Sequence, residues 1–297
     1  MKSFFLTTIF LFSLSFSACA QFVLCAGDSL ELNARSYNGQ NIQWQRSVDG
    51  GTTYNDIPGG TTARLIVYPD NGDFFRLKVV LDECDTIRFS NAREVVYPCR
   101  GDSQITYNGN TYNLIEAGCQ CWIGENLQTT NYNDGQPIDF VPGNGDWSSS
   151  TSGAFVQFDL QEANVQDYGL LYNWNAVNTG RLCPQDWRVP SNGDWQTLSD
   201  FLGANQNAGG KLKEQGTLYW NAPNAGATNE IGFTARPGGM RNFNGGFFFE
   251  GTSGYWWTTN SASASGAVYR SISSFSRSLD SQTGSKENGF SVRCVRD

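Results

Sequence analysis

Residues 187–203 read WRVPSNGDWQTLSDFLG. The spacing predicts a helix that opens at Pro190-Ser191, where Ser191 caps the free amides and Asp194, three positions on, makes a short capping box. Trp195, Leu198 and Leu202 fall at i, i+3 and i+7 on one face, and Gly203 ends the run. Little else in the chain reads as helix. A shorter one is expected through Leu171–Val177. The stretch 204–288 is rich in Gly, Asn and Ser, with short aromatic strands at 246–249, 255–258 and 268–272. These are few regular elements for the length, and long loops of this kind in a compact domain are functional or well pinned. The chain then closes on GFSVRCVRD, a strand-like run with Cys294 near its end.

Working back to the other end, Lys2 precedes an apolar stretch, Phe4–Phe12, followed by Ser17-Ala18-Cys19-Ala20, the layout of a secretory signal over residues 1–20. Two cuts fit. Ala18-x-Ala20 suits an ordinary signal peptidase and leaves Gln21 first. Phe16-Ser17-Ala18-Cys19 is a loose lipobox that would leave Cys19 lipidated and the protein tethered. No later apolar run is long enough for a membrane helix. Removing Lys2 takes the formal charge from −8 to −9, which argues against nucleic acid and anionic lipid as partners.

Residues 22–97 alternate as short strands, for example Leu30–Ala34 and Ile42–Gln45, separated by Asn38-Gly39, Asp49-Gly50-Gly51, Pro58-Gly59-Gly60 and Asn71-Gly72. This pattern predicts a β-sandwich of roughly seven strands with Trp44 in its core. Cys25 and Cys84 bracket the unit and are expected to pair. Residues 98–106 read as a linker around Pro98 and Gly101. The second domain, 107–297, starts with a hairpin turning at Asn108-Gly109.

The chain has no histidine. That removes Ser-His and Cys-His catalysis, the zinc-His sites and the usual general base. Cys119-x-Cys121 lacks the spacing and the second pair of a zinc site, so no metal is expected. The turns Asp70–Asp73 and Asn131–Gly135 do not continue into a calcium loop. A carboxylate-pair hydrolase remains, with Glu214, Glu230 and Glu250 as the loop carboxylates, though nothing brings two of them to the required separation.

Six stretches carry a family resemblance: YNGNTYNLIEAGCQCWIGENLQTTNYNDG, YGLLYNWNAVNTGRLCPQDWRVPSNGDWQTLSDFLG, AGGKLKE, ATNEIGFTARPGGMRN, GYWWTTN and GFSVRCVRD, in that order. Residues 107–297 resemble the Fibrobacter succinogenes major paralogous domain, a family of secreted or lipoprotein modules whose biochemical role is not established. More distantly, WRVPSNGDWQTLSDFLG and the terminal strand are similar to the sulfatase-modifying, formylglycine-generating domains. That likeness implies a C-type-lectin-like fold, with few helices, a long-loop half and paired terminal strands. CAGDSLEL and WQRSVDGGTTYNDIPGGTTARLIV resemble immunoglobulin-like modules of Bacteroidetes-type secreted proteins, in which the module is a spacer or a weak binder. The expected fold class is therefore mixed: an all-β Ig-like sandwich followed by an α+β C-type-lectin-like domain.

The resemblance also orders the cysteines. A Cys183–Cys294 bridge would span the loop-rich half, as the long bridge of lectin-like domains does. The family's QCW phrase favours Cys99–Cys121, leaving Cys119 free or as the alternative partner. Cys183 and Cys294 have a structural use in place of the copper chemistry of the formylglycine-generating enzymes, so no cofactor is expected. The expected function is a non-enzymatic binding or adhesion module at or beyond the cell surface, recognising glycan or extracellular protein. Its alternatives are a structural envelope or matrix component and a carboxylate-pair glycoside hydrolase. In lectin-like folds the long loops carry recognition. Here those loops hold Pro237-Gly238-Gly239 flanked by Arg236 and Arg241, which can donate forked hydrogen bonds. Tyr255 and Trp257 share one face of a regular strand and would offer a stacking platform.

Overall fold

The computed structural model describes residues 21–25, 27–34, 41–81 and 86–296. The expected leader, Cys19 and Cys84 of the expected Cys25–Cys84 pair lie outside the described residues. The chain divides into two compact units between Val96 and Tyr97. It is mostly β with few helices. Among the described residues no helix is long and apolar enough to cross a membrane.

In the N-terminal unit Asn41–Ser47 and Phe74–Leu81 form the longest antiparallel ladder, from Asn41↔Val80 to Ser47↔Phe74. Asn55–Asp56, Thr86–Phe89, Arg93–Val96 and Phe22–Val23 complete its sheet. Leu30–Asn33 and Arg64–Val67 form a separate two-stranded ladder. The in–out alternation expected at Leu30 and Ile42 is present: Leu30, Leu32, Ile42 and Trp44 are buried. The Trp44 indole donates to Thr62 O at 3.0 Å, which satisfies its polar edge inside the core.

Among the described residues the C-terminal unit holds three sheets. The first runs in the order Trp187–Arg188, Val295–Arg296, Gln120–Ile123, Asn110–Ala117, Gln104–Tyr107. The second joins Asp139–Phe140, Ala154–Val156 and Leu171–Tyr172. The third runs Phe247–Glu250, Gly238–Arg241, Ser253–Ser261, Gly266–Ser273, Asp280–Ser285. Residues 98–106 are not a free linker. Cys99 is buried and bonded to Cys121, and Gln104–Tyr107 pairs with Asn110–Asn113 across the Asn108-Gly109 turn. Both turn residues have positive φ, as a two-residue hairpin requires.

The last residues thread through all three sheets. Gly289 bridges Arg241, Phe290 bridges Tyr172 and Ser291 bridges Trp256. Val295 pairs with Trp122 and with Arg188. Cys294, also buried, is bonded to Cys183. Cys119 is itself disulfide-bonded, so it is not a free thiol. Arg293 is buried and donates to Asn126 Oδ1, Gly124 O, Phe233 O and Thr234 O.

The capped helix forms over Asn192–Phe201 with a full capping box. Ser191 Oγ accepts from the Asp194 amide at 3.2 Å, and the Ser191 amide donates back to Asp194 Oδ2 at 2.7 Å. Trp195, Leu198 and Leu202 are buried, and Trp195 packs against Trp122 at 4.9 Å and Phe233 at 5.8 Å. The expected helix through Leu171–Val177 is shorter. Leu171 and Tyr172 pair with Val156 and Phe155 as strand, and helix begins only at Trp174, because Asn173 caps it by accepting from the Ala176 amide.

Candidate ligand-binding surface

Of the four proposed ligand residues, two reach the surface and two do not. Trp257 is fully buried, and its indole donates to Tyr172 O at 2.8 Å. The reason is Phe290 on the terminal segment, whose ring lies 4.3 Å from Trp257 and covers that strand face. Arg241 is also fully buried. It donates to Gly245 O, Val141 O, Pro142 O and Asn144 Oδ1, and its guanidinium lies 4.5 Å over the Trp147 ring. Burial pulls it down to about 10. The glycines between the arginines serve the fold too. A Cβ at Gly239 would sit 2.5 Å from Phe248 O, so close approach here is between the protein's own strands.

Tyr255 is half-buried and stacks on Phe290 at 5.3 Å. From it a strip of rings runs outward. Tyr255 meets Tyr269 at 5.9 Å on one side and Phe249 at 6.2 Å on the other, and Phe249 meets Phe248 at 6.0 Å. Phe248 and Phe249 are 45% and 54% exposed. In a regular strand consecutive side chains point to opposite faces. Here Phe249 has φ +69°, and this left-handed turn accompanies the approach of its ring to its neighbour's. That conformation costs a bulky residue about 1–2 kcal/mol. An exposed ring recovers little of this by packing, and such strain concentrates at ligand-binding positions. The sequence FFFE contains the rings but carries no sign of this φ, and neither Phe248 nor Phe249 stands out in it.

Arg236, the other residue of the four that reaches the surface, orients a set of acids. Arg236 Nε donates to Glu214 Oε2 at 2.5 Å, and its Nη1 donates to Asp167 Oδ1 at 3.0 Å. Tyr219 lies 3.8 Å under the guanidinium and donates its hydroxyl to Asp167 Oδ1 at 3.0 Å. Tyr168 packs edge-on to Tyr219 at 6.0 Å. Burial, reinforced by Glu250 and Asp167, pushes Tyr168 up to about 12. Burial and then the charge of Asp159 raise Glu250 above the usual carboxylate range. Asp159 and Leu160 both have positive φ, so strained backbone flanks the acids as well.

The three loop carboxylates have different partners. Glu214 is held by Arg236, Glu230 is paired with Lys211 at 3.1 Å, and the acid acting on Glu250 is Asp159. The oxygen-rich turns are engaged as well: Asp70 and Asp73 pair with Arg46, and Asp134 with Arg181.

The family model for the Fibrobacter succinogenes major domain matches residues 115–296. That span holds the Cys121 strand, the capped helix, the ring strip and the terminal strand. The chain belongs to the Fibrobacter succinogenes major domain family. A second family model, described as a domain of unknown function (DUF8696), matches residues 16–97. No curated protein matches the chain, and no solved structure does. Within this Fibrobacter succinogenes major domain, the ring strip is the candidate surface, with Glu250 at its end.

Proposed function

We propose that the chain is a non-enzymatic, secreted or surface-tethered binding module in which an immunoglobulin-like N-terminal unit presents a C-type-lectin-like unit that recognises glycan. Buried disulfides suit an oxidising compartment. The lectin-like reading is supported by the last strand lying beside Gln120–Ile123 and by the long Cys183–Cys294 bridge. The immunoglobulin-like reading is supported by the antiparallel ladders around Trp44.

The observation that carries the binding role is the left-handed Phe249, which holds exposed rings together at a cost in backbone energy. Aromatic faces stack on the apolar faces of sugar rings, while fixed carboxylates accept hydrogen bonds from hydroxyls. Asp167 and Glu214 are fixed in this way by Arg236 and Tyr219.

A glycan array probed with the chain from Gln21 onward tests this. Wild type binds, and Phe249→Asn, which tolerates the same φ but lacks the ring, loses about tenfold in affinity or more, equivalent to 1.4 kcal/mol. An array blank for wild type defeats the glycan reading, and capture of an extracellular protein instead would move the role to protein adhesion.

A further inference from the structure

The four rings of the strip differ in orientation as well as position. Phe248 and Phe249 are tilted by 45°, Phe249 and Tyr255 by 50°, and Tyr255 and Tyr269 by 61°. The centroids step at 6.0, 6.2 and 5.9 Å. A flat crystalline face needs coplanar rings, because its sugars cannot rotate to follow a changing tilt. A single chain can turn about each glycosidic bond and meet one tilted ring after another. The strip is open at its outer end, where Phe248, Phe249 and Glu250 are exposed, and Tyr255 and Tyr269 continue it half-buried.

Charge narrows the ligand further. Glu250 follows Phe249 on the strip strand and is exposed, and Asp159 is its acidic neighbour. Like charge at such a surface rejects an anionic partner. The exposed Asn221 amide lies against Gly251, just after the strip, and adds a neutral donor and acceptor.

Resting on the glycan reading above, we infer that the surface takes a single, soluble, uncharged polysaccharide chain along its length, several sugars at a time, and excludes both polyanionic glycans and crystalline fibres.

Calorimetry on the chain from Gln21 onward, with cello-, xylo-, manno- and β-1,3-gluco-oligosaccharides of one to six sugars, provides the test. For the series that binds, affinity should rise from the monosaccharide to the tetrasaccharide by about a hundredfold, since each added ring contact becomes intramolecular, and then level off. Phe249→Asn should flatten that rise with a melting temperature no lower than wild type, since Asn relieves the strain at this φ, and Phe248→Ala should shorten it with the melting temperature unchanged. Polygalacturonate should not bind, and insoluble cellulose and chitin should not deplete the protein from solution. A monosaccharide bound as tightly as a tetrasaccharide would overturn the inference while leaving glycan recognition in place. So would polygalacturonate bound more tightly than the neutral chains, or capture by fibres without binding to soluble oligosaccharides. Failure of every glycan in every form would instead remove the reading on which the inference rests.

Discussion

Lys213 is fully buried, and its ammonium donates to Ser273 O at 3.0 Å and Ser276 O at 2.9 Å. The Trp220 ring lies 5.3 Å away. These partners are neutral, so burial dominates and lowers the group from 10.5 to about 8. Between these two values the unfolded chain holds a proton that the folded chain has released, so stability rises with pH across the window. Below about 8 both states are protonated and the cost of burying the charge is constant. The gain across the window is at most about 3 kcal/mol. Tyrosines held up to about 12, such as Tyr112, act in the opposite sense above pH 10, which is why a comparison is needed. Denaturant unfolding of wild type and Lys213→Met from pH 7.5 to 10.5 should show the wild type gaining on the variant as pH rises. Parallel curves would mean that Lys213 does not titrate there. Nothing in AGGKLKE marks this lysine as buried while Lys211, two positions earlier, is partly exposed and paired with Glu230. Trp257 makes the same point in the other direction. Its strand face was legible by alternation, but its burial depends on Phe290, which arrives from the far end of the chain.

At the scale of elements, local signals were reliable where the energy is local. The helix over Asn192–Phe201 was readable because a capping box and an i, i+3, i+7 apolar face act within one turn or two. The Asn108-Gly109 hairpin was readable for the same reason. Cys183 and Cys294 show the limit: their pairing came from resemblance, because 111 residues separate them. Closing so long a loop restricts the unfolded chain by about 4–5 kcal/mol in the chain-entropy model. Replacing both cysteines with serine should therefore lower unfolding free energy by that order, read from urea midpoints with the m-value checked. A loss under about 1 kcal/mol would show that the hydrogen bonds of the terminal strand already hold that end, and that loop closure contributes little. The strip strand Phe247–Glu250 was readable as the aromatic strand expected at 246–249, but its departure from regular geometry was not, since that depends on the Gly239 strand packed against it.

For the whole molecule, each unit has its own interior. The clusters around Trp122, Trp195 and Trp256, around Phe290 and Trp257, and around Trp147 and Phe158 all fall within residues 97–296. Limited proteolysis read on reducing gels should leave a stable fragment beginning between Tyr97 and Ser103, because Cys99 is buried against Cys121 just beyond the junction. Early cleavage inside 104–296 would contradict a self-contained C-terminal unit. The sequence by itself determined the two-part organisation, the β-rich character, the capped helix and the family of residues 115–296. Those follow from periodicity, turn chemistry and motif order, which are properties of neighbours in the chain. Only the tertiary structure decided which aromatics face water, which arginine is a strut and which holds two acids, and where rings gather at the surface. Burial and orientation are set by residues tens to hundreds of positions away. Here Phe290 takes Trp257 and Gly289 takes Arg241 into the interior, leaving Phe248, Phe249 and Arg236 at the surface.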